Sequence, residues 1–129
     1  MKNVFAWICL SGLLVSCEGN TRLEWSLENQ TSGYLYVIHD ASDYQGYDTL
    51  TAAPGEVLLL GQNDILGGRE LPYDPFSFID TLLIYNEQGH LTTKDWQETW
   101  NWEIESFHDR KIPSQWRHSY LITLAESDF

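Results

Sequence analysis

The chain has 129 residues, with 19 acidic against 7 basic side chains and a formal net charge of -12. That length suits one domain. So acidic a balance excludes a nucleic-acid footprint, which needs clustered Lys and Arg, and argues against general electrostatic adhesion to anionic lipid.

In chain order, the first element is a short apolar run. After Met1-Lys2-Asn3, residues Val4–Val15 are almost wholly apolar and stop at Ser16-Cys17. A membrane-spanning helix needs about 20 apolar residues, so this run matches the h-region of a secretory signal instead. Leu14-Val15-Ser16-Cys17 resembles the bacterial lipobox. That resemblance implies that residues 1–16 are removed and that the Cys17 thiol carries lipid, with residues 17–22 as a tether and 23–129 as the folded domain. Cys9 falls in the discarded segment, so the mature body is expected to have no disulfide. A domain of this size can rely on its apolar core, and the abundant Trp and Tyr argue against disorder.

Strand signals follow. Leu23, Trp25 and Leu27 alternate with Glu24, Ser26 and Glu28. Asn29–Gly33 reads as a turn and Tyr34–His39 as a second strand. Tyr47–Ala52 and Glu56–Gly61 bracket Ala53-Pro54-Gly55, whose Pro-Gly order suits a type II turn. Gly61–Pro75 is rich in Gly and Pro and reads as a long surface connection. Ile79–Asn86 is strongly apolar and leads through Glu87-Gln88-Gly89 into a return over His90–Thr93. A single helical turn fits Lys94–Thr99. Trp100, Trp102 and Ile104 alternate with polar residues, which puts all of them on one core-facing side. Tyr120, Ile122 and Leu124 form the last strand. The expected fold is all-β: an antiparallel β-sandwich of about seven strands.

Taken together, the Leu14–Cys17 motif, Asn29–Ile38, Ala53–Glu56, Phe78–His90 and Ser119–Phe129 give the chain a resemblance to small Bacteroidetes lipoproteins of uncharacterised role. The resemblance implies a β-sandwich body, lipid anchoring in the cell envelope, and an outer-membrane address facing either the periplasm or the outside. It also implies O-glycosylation at Asp-Ser/Thr-apolar sites, which Thr49 and Thr81 match.

Candidate chemistry is sparse. His39, His90, His108 and His118 show no metal-protease spacing, and no nucleophile elbow or phosphate-binding loop is present. No enzyme activity, cofactor or metal is therefore expected. Asp40–Asp48 is oxygen-rich, as calcium loops are, but it lacks the EF-hand spacing and reads as a solvated acidic loop. Trp96, Tyr44 and Tyr47 stand outside the alternating runs and are the candidates for contacting a protein or a glycan, since recognition surfaces favour Trp and Tyr. The sequence thus points to a lipid-anchored accessory module, with an envelope structural component or a small hydrolase as alternatives. For the anchor, Cys17→Ala is expected to abolish fatty-acid labelling and leave uncleaved precursor; normal processing with full membrane retention would contradict it.

Overall fold

The structure is a computed structural model and describes residues 18–41 and 48–129. The described residues form strands β1 (Asn20–Asn29), β2 (Leu35–Ala41), β3 (Asp48–Ala52), β4 (Val57–Leu66), β5 (Ile79–Tyr85), β6 (Trp102–Arg110) and β7 (Gln115–Leu124). Short 3-10 turns occupy Pro75–Phe78, Thr99–Asn101 and Glu126–Asp128. No helix among these residues is long and apolar enough to cross a membrane.

Two sheets result, a four-stranded one ordered β4-β1-β7-β6 and a three-stranded one ordered β3-β2-β5. The alternation seen in the sequence selects the buried face. Leu23, Trp25 and Leu27 of β1 and Tyr120, Ile122 and Leu124 of β7 meet Leu35 and Val37 of β2, Ala52 of β3, and Leu82 and Ile84 of β5. Burying such side chains contributes roughly 1.5–3 kcal/mol each. The all-β, two-sheet expectation therefore holds. Pairing is antiparallel except in the middle of the larger sheet, where β1 and β7 run parallel with Asn20 opposite Gln115 and Asn29 opposite Leu124.

Several boundaries differ from the sequence reading. Asn20–Arg22, expected in a tether, are the first residues of β1, and Thr21 is fully buried. β4 continues to Leu66, so the connection expected from Gly61 begins later. β7 already starts at Gln115; the inward position before Tyr120 is His118, whose polarity separated Trp116 from the apolar alternation. The return expected over His90–Thr93 shrinks to Leu91 bridging Tyr85.

The crossing from β1 to β2 is organised by one buried amide. Asn29 Nδ2 donates to the carbonyls of Gly33 (2.8 Å) and Ala52 (3.0 Å), while its Oδ1 accepts from the Thr31 N–H (2.9 Å) and hydroxyl (2.7 Å). Both ends of a fully buried amide are thus satisfied, and the turn is tied to β3 in the other sheet. The following crossing, Ala53–Glu56, is the type II turn expected from Pro54-Gly55. Gly55 adopts φ 79° and the Glu56 N–H donates to the Ala53 carbonyl at 3.0 Å. Because Asn29→Ala strands buried donors and acceptors on both sides of this junction, it is expected to cost about 2–3 kcal/mol, measured as a lowered urea midpoint.

Candidate functional site

The two ends of the four-stranded sheet carry different chemistry. At one end, Asn20, Leu66, Gln115 and Arg110 lie at one level. There β6 and β7 place Ser106 opposite His118 and His108 opposite Trp116, on the face that continues the core. The His118 ring is fully buried. Its Nε2 lies 2.8 Å from the Arg69 carbonyl, and its Nδ1 lies 2.8 Å from Ser106 Oγ. A carbonyl only accepts, so Nε2 carries a proton, and in the neutral imidazole Nδ1 then accepts from the serine hydroxyl. Beyond it, the His108 ring stacks on Trp116 with centroids 4.1 Å apart and planes within 3°. His108 Nε2 reaches Ser114 Oγ at 3.3 Å.

The β4–β5 connection covers this face because core side chains bond its carbonyls. Besides His118, the Tyr120 hydroxyl donates to the Tyr73 carbonyl (3.0 Å) and Trp25 Nε1 to that of Pro75 (2.7 Å). Thr21 adds two bonds at the start of the segment, donating to the Gly67 carbonyl at 2.6 Å and accepting from the Arg69 N–H at 2.9 Å. Burial holds the Tyr120 hydroxyl neutral and pushes its pKa up from 10.0 to about 12; the Tyr73 and Arg69 interactions oppose that shift only in part.

Chemically, a serine donating to an imidazole whose other nitrogen is fixed by an acceptor is the arrangement that activates nucleophiles. Here the fixing group is a neutral backbone carbonyl rather than a carboxylate. Sequence reading missed this cluster. Ser106 and His118 meet only through the β6–β7 register, and an inward histidine does not look like a strand position. The available signal was parity, since His118 precedes Tyr120 by two.

At the opposite end of the sandwich sit Asn29, Leu124, Leu35 and Ala52, with Trp102 paired to Ile122. Here three tryptophans separate in a way the alternation did not foretell. Trp96, expected to stand exposed, is half-buried against the core, and its carbonyl accepts from Trp102 Nε1 at 2.7 Å. Trp102 is buried as expected. Trp100, expected beside it in the core, is 78% exposed. The 3-10 turn breaks strand parity just before β6, and Asn101 clamps it by donating Nδ2 to the Asp95 carbonyl (2.7 Å) and its N–H to the Glu98 carbonyl (3.0 Å). An indole is thereby held out to solvent on a fixed loop. Tyr34 and Tyr36, at the start of β2, are exposed at the same end of the sandwich.

The remaining sequence candidates divide by location. Cys17, Tyr44 and Tyr47, and most of the acidic loop between Asp40 and Asp48, lie outside the described residues. Thr49 is exposed on β3, whereas Thr81 on β5 is half-buried. Among the described residues no three His, Cys, Asp or Glu side chains gather closely enough to hold a metal ion. No family model, curated protein or solved structure matches this chain.

The buried phenol makes a pH prediction. A folded-state pKa above the unfolded one stabilises the fold fully below pH 10.0, and that contribution is lost as pH rises toward about 12. Urea midpoints taken across this range should fall for the parent and be flatter for Tyr120→Phe. The variant should itself lose about 1–3 kcal/mol at neutral pH, because the Tyr73 carbonyl loses its donor.

Proposed function

We propose that this protein is a lipid-anchored component of the bacterial cell envelope whose β-sandwich binds a partner protein or glycan rather than catalysing a reaction. The observation that carries the binding reading is Trp100, 78% exposed on a loop whose neighbours are tied down on both sides. An exposed indole normally forfeits burial, and a clamped one has little conformational entropy left to lose when a ligand covers it. Aromatic rings offer large apolar area with a polar handle, as recognition surfaces use. Tyr34 and Tyr36 extend the same chemistry at that end. The anchoring half of the reading rests on Leu14–Cys17 and the apolar run before it.

The Ser106–His118 pair favours a second reading, a small hydrolase, in which Ser106 is the nucleophile and His118 takes its proton. One set of preparations separates the readings. Trp100→Ala and Tyr36→Ala should each reduce capture on a glycan array or in a cross-linking pull-down at least tenfold, with an unchanged melting temperature. Capture that survives both substitutions removes the binding surface from Trp100. Labelling of Ser106 by a fluorophosphonate, abolished in Ser106→Ala, would move the reading to a hydrolase.

A further inference from the structure

The end of the four-stranded sheet opposite Trp100 combines three features that serve no packing purpose together. The first is the absence of slack after Cys17. The Gly68 N–H donates to the Glu18 carbonyl at 3.1 Å, the Gly67 N–H to that of Gly19 at 3.2 Å, and the Asn20 N–H to that of Ser114 at 2.9 Å. Gly19, at φ 73°, passes so close to the Ser114 carbonyl that a side chain would collide with it. Residues 18–20 are thus tied to the domain, and Glu18 is the residue that directly follows Cys17 in the sequence.

The second feature is apolar. Leu66, the last residue of β4, is 83% exposed, and Ile112, in the turn joining β6 to β7, is 81% exposed. Strand register brings both to this rim, since Leu66, Asn20, Gln115 and Arg110 share one level.

The third feature is charge. Apart from Lys2, every basic residue except Lys94 lies toward this end: Arg22, Arg69, Arg110, Lys111 and Arg117. Arg22 is paired with Asp64 and Arg117 with Asp109, while Arg69 lies over the Tyr73 ring at 3.9 Å. Arg110 and Lys111 are exposed and in no ion pair among the described residues, and they flank Ile112. The exposed acids of the same rim are Glu18 and Glu70, together with Asp64 and Asp109, which are held by Arg22 and Arg117.

We infer that this rim is a lipid-seating face: with Cys17 acylated, Leu66 and Ile112 enter the headgroup–acyl boundary and Arg110 and Lys111 meet lipid phosphates. Apolar tips with flanking cations are the composition that lies in a membrane interface, and long basic side chains keep their charge at headgroup level while their stems follow the apolar tips down. This inference rests on the anchoring reading above and adds an orientation to it. The domain stands directly on the membrane, with no tether, and Trp100 points away from it. The acidic total that argued against general lipid adhesion is compatible with this, because the contact is local: Arg110 and Lys111, in no ion pair among the described residues, flank Ile112 directly.

The test places an environment-sensitive fluorophore at Leu66→Cys, Ile112→Cys or, as the distal control, Gln88→Cys. The acylated protein is held in phosphatidylethanolamine–phosphatidylglycerol vesicles containing a nitroxide phospholipid. Emission at positions 66 and 112 should shift to the blue and be quenched by the nitroxide, with position 88 unaffected, and Arg110→Glu/Lys111→Glu should abolish both changes. Water-like emission at all positions while the protein floats with the vesicles overturns the face; so does a dry environment traced by cross-linking to a protein partner. Should mass spectrometry show Cys17 unacylated, the anchoring reading fails by itself. The same labelled variants, held on nickel-chelating lipid by an N-terminal histidine tag replacing residues 1–17, then decide the face, with the same spectral outcomes for and against.

Discussion

The parallel pairing of β1 with β7 is the constraint on which the remaining structure depends. It joins the first and last strands at the centre of the larger sheet, with β4 and β6 added outside them. A parallel pair cannot be closed by a hairpin, so the intervening chain must cross between the sheets, and it does so after β1, β3, β4 and β5. The buried Asn29 amide fixes the first of these crossings. Because both central strands run the same way, the start of the domain and the β6–β7 turn fall at one end. The Asn29 turn and the C-terminal residues fall at the other.

That polarity separates the two surfaces of interest. The end that receives residue 18 carries Leu66, Ile112 and most of the cations. The opposite end carries the solvent-facing Trp100 and the exposed Tyr34 and Tyr36. Between them, the β4–β5 connection is strapped to the sheet by hydrogen bonds from Trp25, Tyr120 and His118. Each of these is an aromatic side chain that contributes buried area through its ring and direction through its polar atom. The same strap holds His118 Nε2 through the Arg69 carbonyl, while burial pushes the Tyr120 hydroxyl pKa upward against the opposing hydrogen bond to the Tyr73 carbonyl.

Strand alternation was legible wherever the inward residues were aliphatic or aromatic. Leu23-Trp25-Leu27 and Tyr120-Ile122-Leu124 identified their strands and their buried faces, and Pro54-Gly55 identified a turn type, because these features depend on local sterics and on a period of two. The pattern failed where an inward residue was polar or where the chain left the extended state. His118 is an inward position satisfied by Ser106 and Arg69, partners set by register. Trp100 matched the phase of Trp102 until a 3-10 turn shifted it outward. Trp96 looked isolated among polar neighbours, yet it packs on the core because Trp102 donates to its carbonyl.

By itself the sequence determined an all-β body with an acidic surface, most of its strands, and the single motif around Cys17, because composition, period and turn chemistry are local properties. Only the tertiary structure decided that β1 and β7 run parallel, that Ser106 meets His118, that Trp100 rather than Trp96 faces solvent, and that residues 18 and 19 are clamped rather than loose. Each of those outcomes depends on which strands become neighbours and in what register, and hydrogen bonds between residues far apart in the chain leave no trace in local pattern.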